Sequence, residues 1–233
     1  VLFRSISRVA QAFRPDLHLR AIQDLRVLKG IKLHDFDGAG TRLRVRCRQL
    51  SNGDGALLEL EILGDDEALH YRARAELSRT AAHLDNAVSQ PSLRAWGNAT
   101  IYGDVLFHGR EFQVIQTLEG VGETGIAGTL RGVNTTAWQA EPWHTDVAAL
   151  DGGLQMLLLW AREFGGGATL PMGFGELRFA AAPLSDGPIR VIASCRKTSP
   201  SQAVADLTFV DRRGVQLSQL RNAQLVLRPD ARA

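Results

Sequence analysis

Residues 143–160 read WHTDVAALDGGLQMLLLW, and this stretch constrains the rest of the chain most. From Val147 onward it has helical spacing and is apolar on most sides, with Leu150, Leu154, Met156, Leu157, Leu158, Leu159 and Trp160. A helix that is apolar all round is a buried one, so the fold must supply walls for it. Two polar residues interrupt it, Asp151 and Gln155, four apart and therefore on one face. A carboxylate on a buried helix costs several kcal/mol unless something offsets the cost. Two readings of Asp151 follow. It is a structural residue held by hydrogen bonds, or a carboxylic acid kept protonated by burial so that it can act as a general acid.

The walls are legible as strands. In residues 41–49, Leu43, Val45 and Cys47 alternate with Arg42, Arg44, Arg46 and Arg48. In residues 56–63, Leu58, Leu60 and Ile62 alternate with Glu59 and Glu61, and in residues 69–77, Tyr71, Ala73, Ala75 and Leu77 alternate with Arg72, Arg74 and Glu76. A period of two marks half-buried strands. Turns are expected at Asn52-Gly53-Asp54-Gly55 and Gly64-Asp65-Asp66. Residues 21–33 read as extended, and residues 6–13 read as the tail of a helix ended by Arg14-Pro15. Further strands are expected at 112–118 and 124–130. Four more follow the buried helix and its Gly165-Gly166-Gly167 stop, at 172–180, 189–197, 203–211 and 215–227.

Each half thus pairs one helix with strands. The expectation is an α+β chain of two curved antiparallel sheets, each wrapped round a central helix, with the first half incomplete. Its parts are residues 1–80, a polar linker at 81–97, and residues 98–233.

The formal charge of +2 is too small to imply a polyanionic partner. The arginine row at 42–48 faces glutamates on neighbouring strands, so cross-strand pairing explains it more cheaply than nucleic acid does. No apolar run reaches the roughly 18 residues of a membrane span. Cys47 and Cys195 lie far apart and form no metal pattern, which suits a reducing, cytoplasmic setting. Trp138, Trp143 and Trp160 look too scattered for a ligand cage, and Phe107 and Phe112 are expected to line the core or a tunnel. The chain opens with VLFRS and no Met. Those five residues resemble a translated sequencing adapter, and the expectation is a gene fragment truncated at its start.

LFHGREFQ at 106–113 followed by LDGGLQ at 150–155 resembles the dehydratase domains of polyketide synthases and related multienzyme fatty-acid synthases. The resemblance runs over about 21–229 and implies a double hot dog, two helix-in-sheet halves in one chain. In that family the second-half motif is Asp-x-x-x-Gln or Asp-x-x-x-His, which falls here on Asp151 and Gln155. The resemblance implies that Asp151 protonates the departing hydroxyl and that Gln155 holds the acid and substrate in place. The earlier motif, usually Tyr- or His-Gly-Pro-x-Phe, falls on His108, Gly109 and Phe112, with Arg110 where proline is usual. A His-Pro pair commonly begins five residues before the acid, where this chain has Asp146 and Val147. Read from the residues alone, His108 is as readily a packed loop histidine as a pocket residue, and Tyr102 a packed aromatic. Both stand with Gln155, Gly109 and Phe112 as candidate substrate contacts.

The implied reaction removes water from a 3-hydroxyacyl thioester to give a 2-enoyl thioester. The substrate would arrive on the phosphopantetheine of an acyl carrier protein, among neighbouring synthase domains, with no directly bound cofactor or metal and with a homodimer left open. The family's base histidine sits in His-x-x-x-Gly-x-x-x-x-Pro, and that pattern is absent: His18 lacks the glycine, and His34 has Gly38 but Leu43 in place of proline. The expectation is that the base lies upstream of Ile6 and that this chain alone is inactive. An aldol cyclase using the same His/Asp pair and a non-catalytic docking double hot dog are the alternative readings.

Overall fold

The structure, a computed structural model, describes residues 2–32, 38–52, 54–80, 84, 90–97, 100–103, 106–138, 143–181 and 184–228. The first helix, α1 (Leu2–Phe13), buries Phe3, Ile6 and Ala10 on one face and ends two residues before Pro15. Four strands follow: β1 (His18–Val27), β2 (Arg44–Asn52), β3 (Gly55–Leu63) and β4 (Leu69–Ser78). After a crossing segment come β5 (Ile115–Gly122) and β6 (Gly125–Leu130), then α2 (Val147–Trp160). The chain closes with β7 (Ala168–Phe179), β8 (Ile189–Ser199), β9 (Gln202–Val210) and β10 (Gln216–Arg228).

Alternation does what it implied. In β3, Ala56, Leu58, Leu60 and Ile62 are buried, while Glu59 and Glu61 turn outward. The outward glutamates meet the arginines of the adjacent strands: Arg48 bonds Glu59 at 2.6 Å, Arg46 bonds Glu61 at 3.1 Å, and Arg72 lies 3.4 Å from Glu61. These are exposed pairs, each contributing about 0–1 kcal/mol, so they set register more than they hold the fold.

The sheet count differs from expectation. All ten strands form one antiparallel sheet in the order β2-β3-β4-β1-β7-β10-β9-β8-β6-β5. The joint is β1 against β7, from Ala21 opposite Arg178 to Arg26 opposite Gly173. Period-two patterning sets which face of a strand is buried and says nothing about its partner. The joint carries the irregularities that bend a sheet. The pairing of β1 with β4 slips between Gln23 and Arg26, and that of β10 with β9 slips between Leu220 and Ala223. Asp24 (φ 50°) and Asn222 (φ 55°) take left-handed backbone there. Between them on β7, Gly173 has φ 155°, and a Cβ on it would stand 2.2 Å from the Leu25 carbonyl oxygen. Bulges of this kind increase local twist, which lets a single sheet serve two helices. α1 packs on β1, β2 and β4, and α2 on β5 to β9.

α2 sits close to its walls because of two glycines inside it. A Cβ at Gly152 would reach 2.8 Å from both Leu130 and Val114, and one at Gly153 would reach 2.8 Å from the Phe209 ring. Trp160 is fully buried and its indole N–H donates to the Gly122 and Glu123 carbonyls at 3.1 Å. The α-helix ends there. Short of the expected Gly165-Gly166-Gly167 stop, Ala161–Gly165 forms a wider π turn, which Gly166 closes in left-handed conformation at φ 91°.

The expected linker lies partly outside the described residues, at 81–83 and 85–89, as do Gly53 of the first turn and both His34 and His83. Its described part, residue 84 and 90–97, is not helical, and Arg94 makes an antiparallel bridge to Val121. No helix among the described residues is long and apolar enough to cross a membrane.

Candidate active site

The site is built where α2 meets the loop before β5. Asp146 is the N-cap of α2, and its Oδ1 accepts from Ala149 N at 2.9 Å. An Asp immediately before an apolar helical run is an N-cap signal in the sequence. The same Oδ1 accepts from Val133 N at 2.9 Å, so one carboxylate ties the helix start to the 3-10 turn Val133–Thr135 that follows β6. Burial pushes the Asp146 pKa above its usual range, against the lowering effect of those backbone N–H groups. His144, beside it, is exposed.

One turn into α2 stands Asp151. It is half-buried, which corrects the expectation of a carboxylate sunk in the helix. Asp151, Leu154 and Leu158 form a half-exposed stripe on a helix otherwise enclosed, a face that uniform apolarity conceals. The deeply buried polar group is Gln155, at 1% exposure. Its Nε2 donates to Asp151 Oδ2 at 2.7 Å and to the Phe112 carbonyl at 2.8 Å. Its Oε1 accepts from the Tyr102 hydroxyl at 2.8 Å, and that hydroxyl accepts from Ile115 N at 2.9 Å. Tyr102 and the Phe112 backbone, both from the segment before β5, thus converge with Asp151 on one amide of α2.

The loop at 106–113 is held without its usual proline. Arg110–Phe112 forms a 3-10 turn in which Phe112 N donates to the Gly109 carbonyl at 2.8 Å, while Gln113 Nε2 donates to the His108 carbonyl at 3.1 Å. Phe112 enters the site only through its backbone. Its ring is 50% exposed and Phe107 is 83% exposed, so neither lines the core. Phe107 stacks on His108 with centroids 4.8 Å apart.

Trp138 and Trp143 come together beside Phe112, while Trp160 is buried apart from them. Phe112 meets Trp138 at 5.1 Å and Trp138 meets Trp143 at 6.4 Å, with the Arg4 guanidinium 5.2 Å from the Trp143 ring centre. Trp138 Nε1 donates to the Glu111 carbonyl at 2.9 Å, pinning the 3-10 turn from outside. The contacts of Phe112 and Arg4 with these rings are long-range, so no local signal points to them.

Of the sequence candidates, Asp151, Gln155, Tyr102 and the Phe112 backbone share one hydrogen-bonded chain. Gly109 and His108 shape the adjoining loop. The family model described as the polyketide synthase dehydratase N-terminal domain matches residues 79–230, the span that holds all six. The chain belongs to the polyketide synthase dehydratase family. Solved dehydratases and their relatives share its fold. The dehydratase domain from the CurJ module of curacin polyketide synthase is 15% identical, with TM-score 0.71, covering 97% of this chain and 81% of that one. The dehydratase domain of RzxB from Pseudomonas fluorescens is 16% identical, with TM-score 0.62 and coverage of 89% and 75%. A trans-acyltransferase polyketide synthase enoyl-isomerase is 12% identical, with TM-score 0.64 and coverage of 96% and 87%. No curated protein matches the chain.

Proposed function

We propose that this dehydratase-family chain is a double hot dog, with residues 1–80 and 98–233 as its halves, that carries the acid side of water elimination from a 3-hydroxyacyl thioester. The observation that carries the reading is the Asp151–Gln155 pair on α2, with Gln155 locked by the Phe112 carbonyl and Tyr102. A base takes the proton from C2, the electron pair forms the C2–C3 double bond, and the C3–O bond breaks. Asp151 gives its proton to the departing oxygen, which leaves as water. The carboxylate left behind keeps the Gln155 hydrogen bond, and a charge-assisted bond of that kind is the stronger one. The proton held by the base returns to Asp151 to complete the cycle.

None of the described histidines is assigned as the base. His18 and His144 are exposed, the His70 ring sits 3.1 Å from the Lys29 carbonyl, and the His108 ring is stacked on Phe107, its buried Nδ1 without a hydrogen-bond partner among the described residues. The substrate is presented on the phosphopantetheine of an acyl carrier protein, in a cytoplasmic synthase whose neighbouring domains and second copy are the other partners. No cofactor is bound directly.

The test supplies an external base. The purified chain is incubated with a 3-hydroxyacyl pantetheine thioester, with and without added imidazole, and enoyl product is measured. The expected result is negligible turnover alone and imidazole-dependent turnover that Asp151→Asn abolishes. Rapid dehydration without imidazole would mean that the chain holds its own base. No binding of the thioester, together with no turnover in either condition, would overturn the dehydratase reading.

A further inference from the structure

We propose that Tyr102 is a positioning residue that, acting through Gln155, fixes which oxygen of Asp151 carries the proton to be transferred; the inference rests on the acid role proposed above. Tyr102 lies outside the loop at 106–113 and is bonded to Gln155 and the backbone, so its place is behind the amide, away from reacting atoms.

The argument is a count of hydrogens. The Ile115 backbone N–H can only donate, and it donates to the Tyr102 oxygen at 2.9 Å. A phenol has a single hydrogen of its own. That hydrogen goes to the side chain facing it at 2.8 Å, so Gln155 must present its carbonyl oxygen there. On the opposite side of the amide, the Phe112 carbonyl can only accept, so Gln155 must present its NH₂ group. The two demands agree, and the amide has one orientation. Its nitrogen then has one hydrogen for Phe112 and one for Asp151 Oδ2 at 2.7 Å. Asp151 Oδ2 therefore accepts in both protonation states, and because a carbonyl oxygen accepts better than a hydroxyl oxygen, the acid proton favours Oδ1. Were the amide turned over, its oxygen would face the carboxyl group, and a protonated Asp151 would spend its hydrogen on Gln155. Tyr102 is suited to the post because burial pushes its phenol pKa further up, keeping it a donor.

The test reads the Gln155 side-chain amide by NMR in the full chain, independently of turnover. In the wild type both amide hydrogens should exchange slowly and show separate shifts. Tyr102→Phe keeps the ring and removes the hydroxyl, and should cost the Gln155 amide about tenfold or more of its exchange protection, the equivalent of one hydrogen bond. The double variant Tyr102→Phe/Asp151→Asn should lose no less. Should Tyr102→Phe fail to fold, fluorotyrosine in its place retains the hydroxyl as a stronger donor, and the Gln155 amide shifts should move. A folded Tyr102→Phe protein, or a fluorotyrosine protein, with Gln155 shifts and protection unchanged overturns the proposal. In the imidazole-supported reaction, Tyr102→Phe should lower kcat with KM within about twofold, because orientation of the acid is lost and uniform binding is kept. A wild-type chain without that reaction but with the amide behaviour described keeps the hydrogen-bond assignment and removes its catalytic meaning.

Discussion

Gln155 Nε2 lies 2.7 Å from Asp151 Oδ2, one turn away on α2, and 2.8 Å from the carbonyl of Phe112 on a separate loop. One fully buried amide therefore joins a half-buried acid to the segment that borders it. The helix provides the spacing and the loop provides the lock. Damage to the acid and damage to its support should consequently look different.

Asp151→Asn removes the transferable proton and keeps the shape. Asn Oδ1 can still accept from Gln155, and the side chain is half-buried, so stability should change by less than about 1 kcal/mol. The imidazole-supported rate should fall about 10²–10⁴-fold, the usual contribution of a general acid. A near-normal rate in a protein of unchanged melting temperature would remove Asp151 from the chemistry.

Gln155→Ala should show the opposite balance. It strands the Tyr102 hydroxyl, the Phe112 carbonyl and one acid oxygen, and leaves a gap in a fully buried helix face. Unpaired buried groups and a small cavity together should lower stability by about 2–4 kcal/mol. The rate loss, corrected for folded fraction, should be smaller than for Asp151→Asn. Urea unfolding and rate measured on the same preparations decide it. A variant as stable as the wild type would mean that the amide is not the lock.

Much of this arrangement is legible in the sequence. Strand positions followed from alternation, since Leu58, Leu60 and Ile62 sit inward and Glu59 and Glu61 outward as the period requires. Asp151 and Gln155 followed from i, i+4 spacing. What could not be read is what depends on distant partners. The pairing of Ala21 with Arg178 joins the halves into one sheet and leaves no local mark. The half-exposure of Asp151 comes from which elements cover α2, and Tyr102 became a support only through contacts 13 and 53 residues away.

That joint makes Gly173 sensitive. At φ 155°, with a Cβ destined for 2.2 Å from the Leu25 carbonyl oxygen, Gly173→Ala must displace backbone in β1 or give up the pairing. The expected loss is about 2–4 kcal/mol, combining strain and overpacking. Gly97, with nothing within 4 Å of its would-be Cβ, is the control. Gly97→Ala should stay within about 0.5 kcal/mol of wild type. Equal melting temperatures for the two variants would contradict the tight β1–β7 joint.

Asp146 offers a test by pH. Burial raises its pKa in the folded state above the ordinary 3.8. A folded state that holds the proton more tightly than the unfolded one binds more protons between the two values, so stability falls as pH rises through that window. The ionised form is still a useful cap, because Oδ1 accepts from both Ala149 N and Val133 N. Asp146→Asn keeps an acceptor at the cap and cannot ionise. Its stability relative to wild type should therefore improve as pH climbs from 3.8 toward the raised value, and the difference should then level off. Asp146→Ala removes the cap as well and should cost about 0.5–2 kcal/mol at acidic pH, where the wild-type carboxyl is neutral. Denaturation curves for the three proteins across this range separate capping from ionisation. A wild-type minus Asn difference that stays flat with pH would show that folding does not penalise the Asp146 charge, and that the cap alone accounts for the residue.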